Sequence, residues 1–275
     1  MKKFLVPTDF SDTAKNAARY AVQLANDVAN ATVVLYNAFD AVSTGSDGTT
    51  VFSDEDARKS ISNSALTAMK AELAEFAGGT EIAVLAEEGD LIDNLQKLVH
   101  HHTVDLIIMG MNGATKLEEI FIGSTTLSVI SHRIAPVLII PPDATYRPIK
   151  NVVFASDFKD VDQTTPKKEL RNFLSMVRPK LHVVNVDEDH YVELTEHYKE
   201  QKGKLNSILD GFDPEYAFIR MYDFVESINL FAEDRNAEVI ITVPRKHSFL
   251  EGIFKTSHTR KLAYHTHIPI LALHE

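Results

Sequence analysis

The chain has 275 residues, 44% hydrophobic and 24% charged, with a formal net charge of -11 and no cysteine. These totals exclude disulfides, thiolate metal sites and cysteine nucleophiles, and they argue against a nucleic-acid partner, which needs a basic face. No apolar run reaches the roughly 18 residues of a membrane span, and the start "MKKFLVPTDFS" is too short in apolar length for a signal peptide. The reading is a cytoplasmic chain with no membrane partner, long enough for two domains at roughly 100–200 residues each. An acidic chain must hold any anionic ligand by local dipoles, since its overall field repels one.

Residues 2–9 make an apolar run that ends on Pro7, Thr8 and Asp9, and they predict a strand. From 11 to 31, Ala14, Ala17, Ala18, Ala21, Val22, Leu24, Ala25 and Val28 fall at helical spacing, with Ser11 or Asp12 at the N-cap. "TVVLYNAF" (32–39) is a β-branched buried strand, and "STGSDGTT" (43–50) is a loop by composition. Residues 54–77 predict a long helix stopped by Gly78 and Gly79. A strand over 80–89, a helix over 90–102 and a strand over 104–110 follow. The last pair is a helix over 124–133 and a strand over 135–141. Strands alternating with helices predict parallel pairing through right-handed crossovers.

"PPDATYRP" (141–148) is proline-rich, and after it the pattern restarts. "KNVVFASDF" (150–158) echoes "KKFLVPTDF" (2–10), with Asp157 in the place of Asp9. Residues 105–139 align without gaps on 238–272, at a constant offset of 133. Ile107, Ile108, Phe121, His132 and Pro136 recur there as Ile240, Ile241, Phe254, His265 and Pro269. An internal duplication of this kind predicts two copies of one α/β domain. The expected boundaries are 1–142 and 149–275, joined by a linker over 143–148.

The segment "IIMGMNGATKLEEIFIGSTT" (107–126) breaks a buried strand on Gly110 and Gly113, and breaks again on Gly123 before Ser124 and Thr125. A strand-to-helix turn opens at the carboxyl edge of a parallel sheet, where ligands bind. Glycine lets the backbone approach a ligand, and the turn's N–H groups with the next helix start suit an anion such as a phosphate. Residue types alone also permit a plain turn in which Ser124 is only an N-cap. In the second copy Val243, Lys246 and Thr256 stand opposite the three glycines, and Ser257 stands opposite Ser124.

The pattern G-x2-G-x9-G-[ST], closing a strand–helix–strand unit, resembles the nucleotide-binding signature of the universal stress protein family. "PTDFS" after the first strand and "IIMGMNG" after the fourth resemble the same family, and the likeness covers nearly the whole chain as two tandem domains. The resemblance implies two open five-stranded parallel sheets flanked by helices, Rossmann-like and of the adenine nucleotide alpha hydrolase-like kind. It implies a stress-response protein that binds ATP or a related adenine nucleotide, with or without Mg2+, in the first domain, and acts as a nucleotide-dependent regulator. Gly110, Gly113, Gly123, Ser124 and Thr125 would cradle ribose and phosphates, and Asp9 would accept hydrogen bonds near adenine and ribose. The Ala38 backbone would meet the adenine edge, and Pro7 and Met109 would give apolar walls. Thr8 and Asn112 belong to the same two stretches. Asp9 can also cap the helix that begins near Ser11, alongside that role.

No catalytic residue is evident, since the lysine of a P-loop is absent, and ATP turnover is expected to be weak if it occurs. Lys116 lies within the loop, as a phosphate contact or as a surface side chain. The alternatives are an interaction scaffold without nucleotide binding and a slow ATP-hydrolysing enzyme. His100, His101 and His102 end a helix and project in different directions, so no metal site is expected there. His258, His265, His267 and His274 are read as surface or interface residues, with a ligand role as the alternative, and the basic run "RKHSF" (245–249) as a salt-bridged loop, with anion binding as the alternative. The apolar runs "APVLIIP" and "HIPILAL" predict fifth strands that pair with each other within one chain, as a pseudo-dimer, or across a homodimer.

Overall fold

The computed structural model describes residues 1–39, 43–44, 50–51, 55–101, 103–111, 122–186, 196–219, 224–244 and 266–274. They form two compact units, the first ending at Tyr146 and the second beginning at Arg147.

The first unit runs β1 (Lys2–Pro7), α1 (Asp12–Asp27), β2 (Ala31–Phe39), β3 (Ser43–Thr44), β4 (Thr50–Val51), α2 (Glu55–Leu73), β5 (Glu81–Glu88), α3 (Leu91–His101), β6 (Leu106–Gly110), α4 (Ser124–Ser131) and β7 (Val137–Ile140). Its main sheet has the order β7-β6-β1-β2-β5, with every pair parallel. Ile107 and Ile108 of β6 and all four residues of β7 are fully buried. Such continuous apolar runs are expected of parallel strands covered on both faces. α1 turns Ala14, Ala17, Ala18, Ala21 and Ala25 inward, a small-residue face that lets it lie close to the sheet.

Two local boundaries differ from the expected ones. The first helix stops at Asp27, not at 31, because Val28 is extended and Asn30 turns left-handed at φ 57, and Ala31 already pairs with Lys2 of β1. The stretch read as loop over 43–50 contributes β3 and the first residue of β4 to an antiparallel pair, with Ser43 opposite Val51 and Thr44 opposite Thr50. α2 ends in a short 3-10 turn (Ala74–Phe76), and Gly78 and Gly79 then take φ +53 and +104, conformations that L side chains rarely adopt. Residues 141–146 are held on α1. The Asn16 amide donates to the carbonyl oxygens of Pro141 (3.2 Å) and Ala144 (3.0 Å), and the Tyr146 hydroxyl donates to Asp27.

The second unit runs β8 (Asn151–Ala155), α5 (Val161–Thr164), α6 (Lys167–Val177), β9 (Lys180–Val186), α7 (Glu196–Ile208), β10 (Glu215–Ile219), α8 (Phe224–Asp234), β11 (Val239–Thr242) and β12 (Ile270–Ala272). Its strands take the order β10-β9-β8-β11-β12, again parallel. The duplication persists in single hydrogen bonds. Asp105 accepts from the Lys3 amide at 2.9 Å, and Glu238, its counterpart, accepts from the Asn151 amide at 2.8 Å. The Ile107 and Ile240 amides each donate at 2.9 Å to a proline carbonyl, Pro136 and Pro269. The helix after the first strand differs. Pro166 stands between α5 and α6, where it supplies no N–H and splits what is one helix in the first unit.

His182 of β9 is 3% exposed, with Nδ1 3.3 Å from Glu215 Oε2 and its ring edge-on to Phe231. Burial holds its pKa below the ordinary value; Glu215 pulls the other way, and Lys180 and Arg235 add to the lowering. The unfolded chain therefore binds a proton more readily than the folded unit, and stability falls as pH drops through about 6.5. We expect the melting temperature to drop between about pH 7.5 and about pH 5.5, and His182→Gln to flatten that slope. An unchanged slope in the variant would assign the pH dependence elsewhere.

Candidate functional site

β1 lies between β6 and β2, so the chain leaves its carboxyl end at the point where the strand order reverses. A crevice forms at such a point. Here it is a cavity of about 480 Å³ at the carboxyl ends of β1, β2 and β6. Pro7, Thr8 and Asp9 enter it from β1 and Ala38 from β2; Met109 and Gly110 come from β6, and Gly123, Ser124 and Thr125 from the start of α4. Sequence positions more than a hundred residues apart thus meet at one crevice. Asn112 and Gly113, expected at the same site, lie outside the described residues.

Sequence reasoning missed Ala14, Tyr36, Asn37, Leu91 and Thr126, which also line the cavity. Tyr36 and Asn37 carried a signal, since they precede Ala38 on the same strand end. Leu91 carried none, because only the fold brings the start of α3 to this crevice.

The turn after β1 is built from its own side chains. Asp9 Oδ1 accepts from the Ser11 amide (3.0 Å) and the Ser11 hydroxyl (2.6 Å). Ser11 in turn is the N-cap of α1, its Oγ accepting from the Ala14 amide at 3.3 Å. Asp9 is therefore not the cap itself; it holds the residue that is. The Phe10 amide donates to Thr8 Oγ1 at 2.9 Å, and Phe10 sits at φ 64. This left-handed bend tightens the path between strand and helix.

On the facing side, Gly110 has a reason to be glycine that sequence reading did not supply. A Cβ there would lie 2.8 Å from the carbonyl oxygen of Thr13, a backbone atom of α1, so the strand end or the helix would have to shift to admit it. The close contact is to the protein's own helix. Gly123 occupies the N-cap of α4 and offers no side chain to cap it, while its amide donates to the Met111 carbonyl at 2.7 Å. The first-turn N–H groups of α4, which have no partner within the helix, thus lie at the cavity. Thr126 Oγ1 donates to the Gly110 carbonyl at 3.1 Å and ties the two glycine turns together.

Electrostatically the cavity is sparse. Among its described lining residues, Asp9 is the one charged side chain. Tyr36 is fully buried, its hydroxyl donates to Glu87 Oε2 at 3.2 Å, and burial pushes its pKa upward, so it is a neutral wall at physiological pH. Among the described residues no group of three or more His, Asp or Glu side chains is placed to hold a metal ion. His100 and His101 contact each other edge-on at 5.1 Å; His102 lies outside the described residues. Among the described helices none is long and apolar enough to cross a membrane.

The second unit repeats the turn. The Lys159 amide donates to Asp157 Oδ1 at 3.1 Å, and the Phe158 amide donates to Ser156 Oγ at 3.3 Å. Phe158, however, is 4% exposed and packs on Tyr198, Tyr216 and Phe218. Lys246, "RKHSF", Thr256, Ser257 and His258 lie outside the described residues.

The sequence model of the universal stress protein family matches residues 1–141 and again 149–274. The chain belongs to the universal stress protein family. Curated members similar to it include the universal stress proteins MJ0531 and MJ0577 of Methanocaldococcus jannaschii. Each is 29% identical over half of this chain, a match spanning 81% of the first and 94% of the second. Among solved structures, a universal stress protein from Archaeoglobus fulgidus superimposes with a TM-score of 0.69 at 19% identity, covering 99% of this chain and 98% of its own. A putative universal stress protein from Pseudomonas aeruginosa gives 0.58 at 16% identity, covering 100% and 93%. At such identities the likeness establishes the fold.

Gly110→Ala tests the helix contact directly. Overpacking against backbone costs about 1–3 kcal/mol, and we expect a lowered melting temperature with no ligand present. An unshifted melting temperature would mean that the start of α1 yields freely and that the close approach is not needed.

Proposed function

We propose that the cavity of the first unit binds one adenine nucleotide, and that the protein acts in a stress response as a nucleotide-dependent regulator. One observation carries this reading. Pro7, Thr8, Asp9, Ala38, Met109, Gly110, Gly123, Ser124 and Thr125 converge on a single cavity that ends at the uncapped start of a helix. In that cavity, Pro7 and Met109 offer apolar faces to the base, and the Ala38 backbone offers polar atoms to its edge. Asp9 offers a carboxylate to the ribose hydroxyls. Phosphates fit the amides of Gly123, Ser124 and Thr125, where helix-terminal N–H groups favour negative charge.

The donor set suits a nucleotide better than it suits a protein-bound metal. A Mg2+ ion would enter on the phosphates, whose charge it offsets, and would find Asp9 as the one carboxylate among the described lining residues. Ser11 holds Asp9 Oδ1, and the carboxylate is assigned to the ribose, so no general base is assigned to the phosphates and we expect slow or absent hydrolysis.

Calorimetry with ATP, ADP and AMP, with and without Mg2+, tests this. We expect one site per chain. Gly113→Lys, which installs the residue type that the second copy carries at 246, should lower affinity at least about tenfold, or about 1.4 kcal/mol, in a folded protein. Two equivalent sites per chain, or no binding at all, would overturn the proposal. A steady-state ATPase in the ordinary enzyme range of about 1–1000 per second would replace it with the enzyme reading.

A further inference from the structure

α2 contributes no residue to the cavity lining, yet it is joined to the rim through a chain of short hydrogen bonds. Its buried stripe is Ser62, Leu66, Met69 and Leu73, so Ser62 brings one hydroxyl to an otherwise apolar face. At 6% exposure that hydroxyl needs a partner inside the protein. It has one: Ser62 Oγ donates to Asn37 Oδ1 at 2.7 Å. Asn37, which lines the cavity, uses its other end to donate from Nδ2 to the Thr8 carbonyl oxygen at 2.8 Å. Thr8 is the residue just before Asp9. A second link runs beside the first, with Thr8 Oγ1 donating to Met69 Sδ, also on α2, at 3.7 Å.

We infer that Ser62 is a positioning residue for the ligand. An amide side chain can present either end, and the Thr8 carbonyl, which can only accept, selects the Nδ2 end. The Ser62 hydroxyl holds the other end by donating to Oδ1, so Asn37 is pinned on both sides and its Nδ2 is kept on the Thr8 carbonyl, just before the turn through Asp9. Remove the hydroxyl, and Asn37 Oδ1 loses its donor in a part-buried place; the side chain is then held at one end only and the Asp9 turn loosens. The second unit has the lower half of this relay, since Asn185 Nδ2 donates to the Ser156 carbonyl at 2.9 Å. There the buried polar residue of α7 is Gln201, whose Oε1 accepts from the Val161 amide at 2.9 Å. The relay that reaches a helix through the asparagine oxygen is thus described in the first unit, the one with the glycine turns.

This inference rests on the nucleotide reading for its affinity arm and not for its structural arm, and the experiment keeps them apart. In the full chain without ligand, hydrogen exchange is followed at the Phe10 and Ser11 amides, which donate to Thr8 and Asp9. Ser62→Ala should speed exchange there several-fold while leaving the strand amides of β6 and β7 unchanged. Ser62→Thr, which keeps the hydroxyl, should restore it. Calorimetry with ATP on the same proteins should give an affinity about three- to tenfold weaker for Ser62→Ala and within about twofold of the parent for Ser62→Thr. Asn37→Asp, which cannot donate to the Thr8 carbonyl, should reproduce the Ser62→Ala result and serves if that variant fails to fold. Unchanged exchange in Ser62→Ala, or a loss that Ser62→Thr does not restore, would overturn the inference. Faster exchange in Ser62→Ala, with a parent that binds no nucleotide, would sustain the relay and sink the nucleotide reading.

Discussion

The end of β6 meets the start of α1 backbone to backbone: a methyl group on Gly110 would sit 2.8 Å from the Thr13 carbonyl oxygen. That close approach brings the fourth main strand and the first helix together beside the crevice. Two further contacts lie next to it. The Thr126 hydroxyl bonds the Gly110 carbonyl and brings α4 up to the strand end. Ser11, held by Asp9, caps α1 just beside Thr13. The alanine face of α1 allows the helix to lie close enough for the contact to exist at all.

The two units share a frame and differ in what that frame exposes. A carboxylate from before the fourth main strand grips the amides of the first strand in both, as Asp105 and as Glu238. A Ser or Thr hydroxyl accepts from the amide of a left-handed phenylalanine in both, Phe10 at φ 64 and Phe158 at φ 53. The second unit then departs at the helix. Pro166 divides it, α5 starts from Asp160 at φ 47, and Phe158 is drawn into an aromatic cluster with Tyr198 and Phe218. The first unit instead keeps a continuous α1 and leaves Phe10 only half-buried.

The α/β class, the parallel pairing and most element boundaries of the first unit were legible in the sequence, because apolar runs such as "DLIIMG" and "APVLIIP" have strand length and sit between helical patterns. The end of α1 was not legible, since Val28 keeps the helical spacing while Asn30 turns the backbone out of it. The pairing of Ser43–Thr44 with Thr50–Val51 was hidden by a loop-like composition. At the crevice, residues adjacent to a motif could be named, and those delivered by topology could not, Leu91 among them. Gly110 is the instructive case. Its spacing marked it as part of a ligand loop, but the need for glycine comes from a helix about a hundred positions away, a contact that no local pattern encodes.

The central claim is that a nucleotide occupies the crevice of the first unit and leaves the duplicated turn of the second alone. Backbone amide chemical shifts of the full chain, followed as ATP is added, test it most directly. The account predicts shifts at Thr8, Asp9, Ala38, Gly110, Ser124 and Thr125 that saturate at one equivalent, with Ser156, Asp157 and Lys159 unmoved. Shifts centred on Ser156–Lys159, or none at the first-unit residues at saturating ATP, would contradict it.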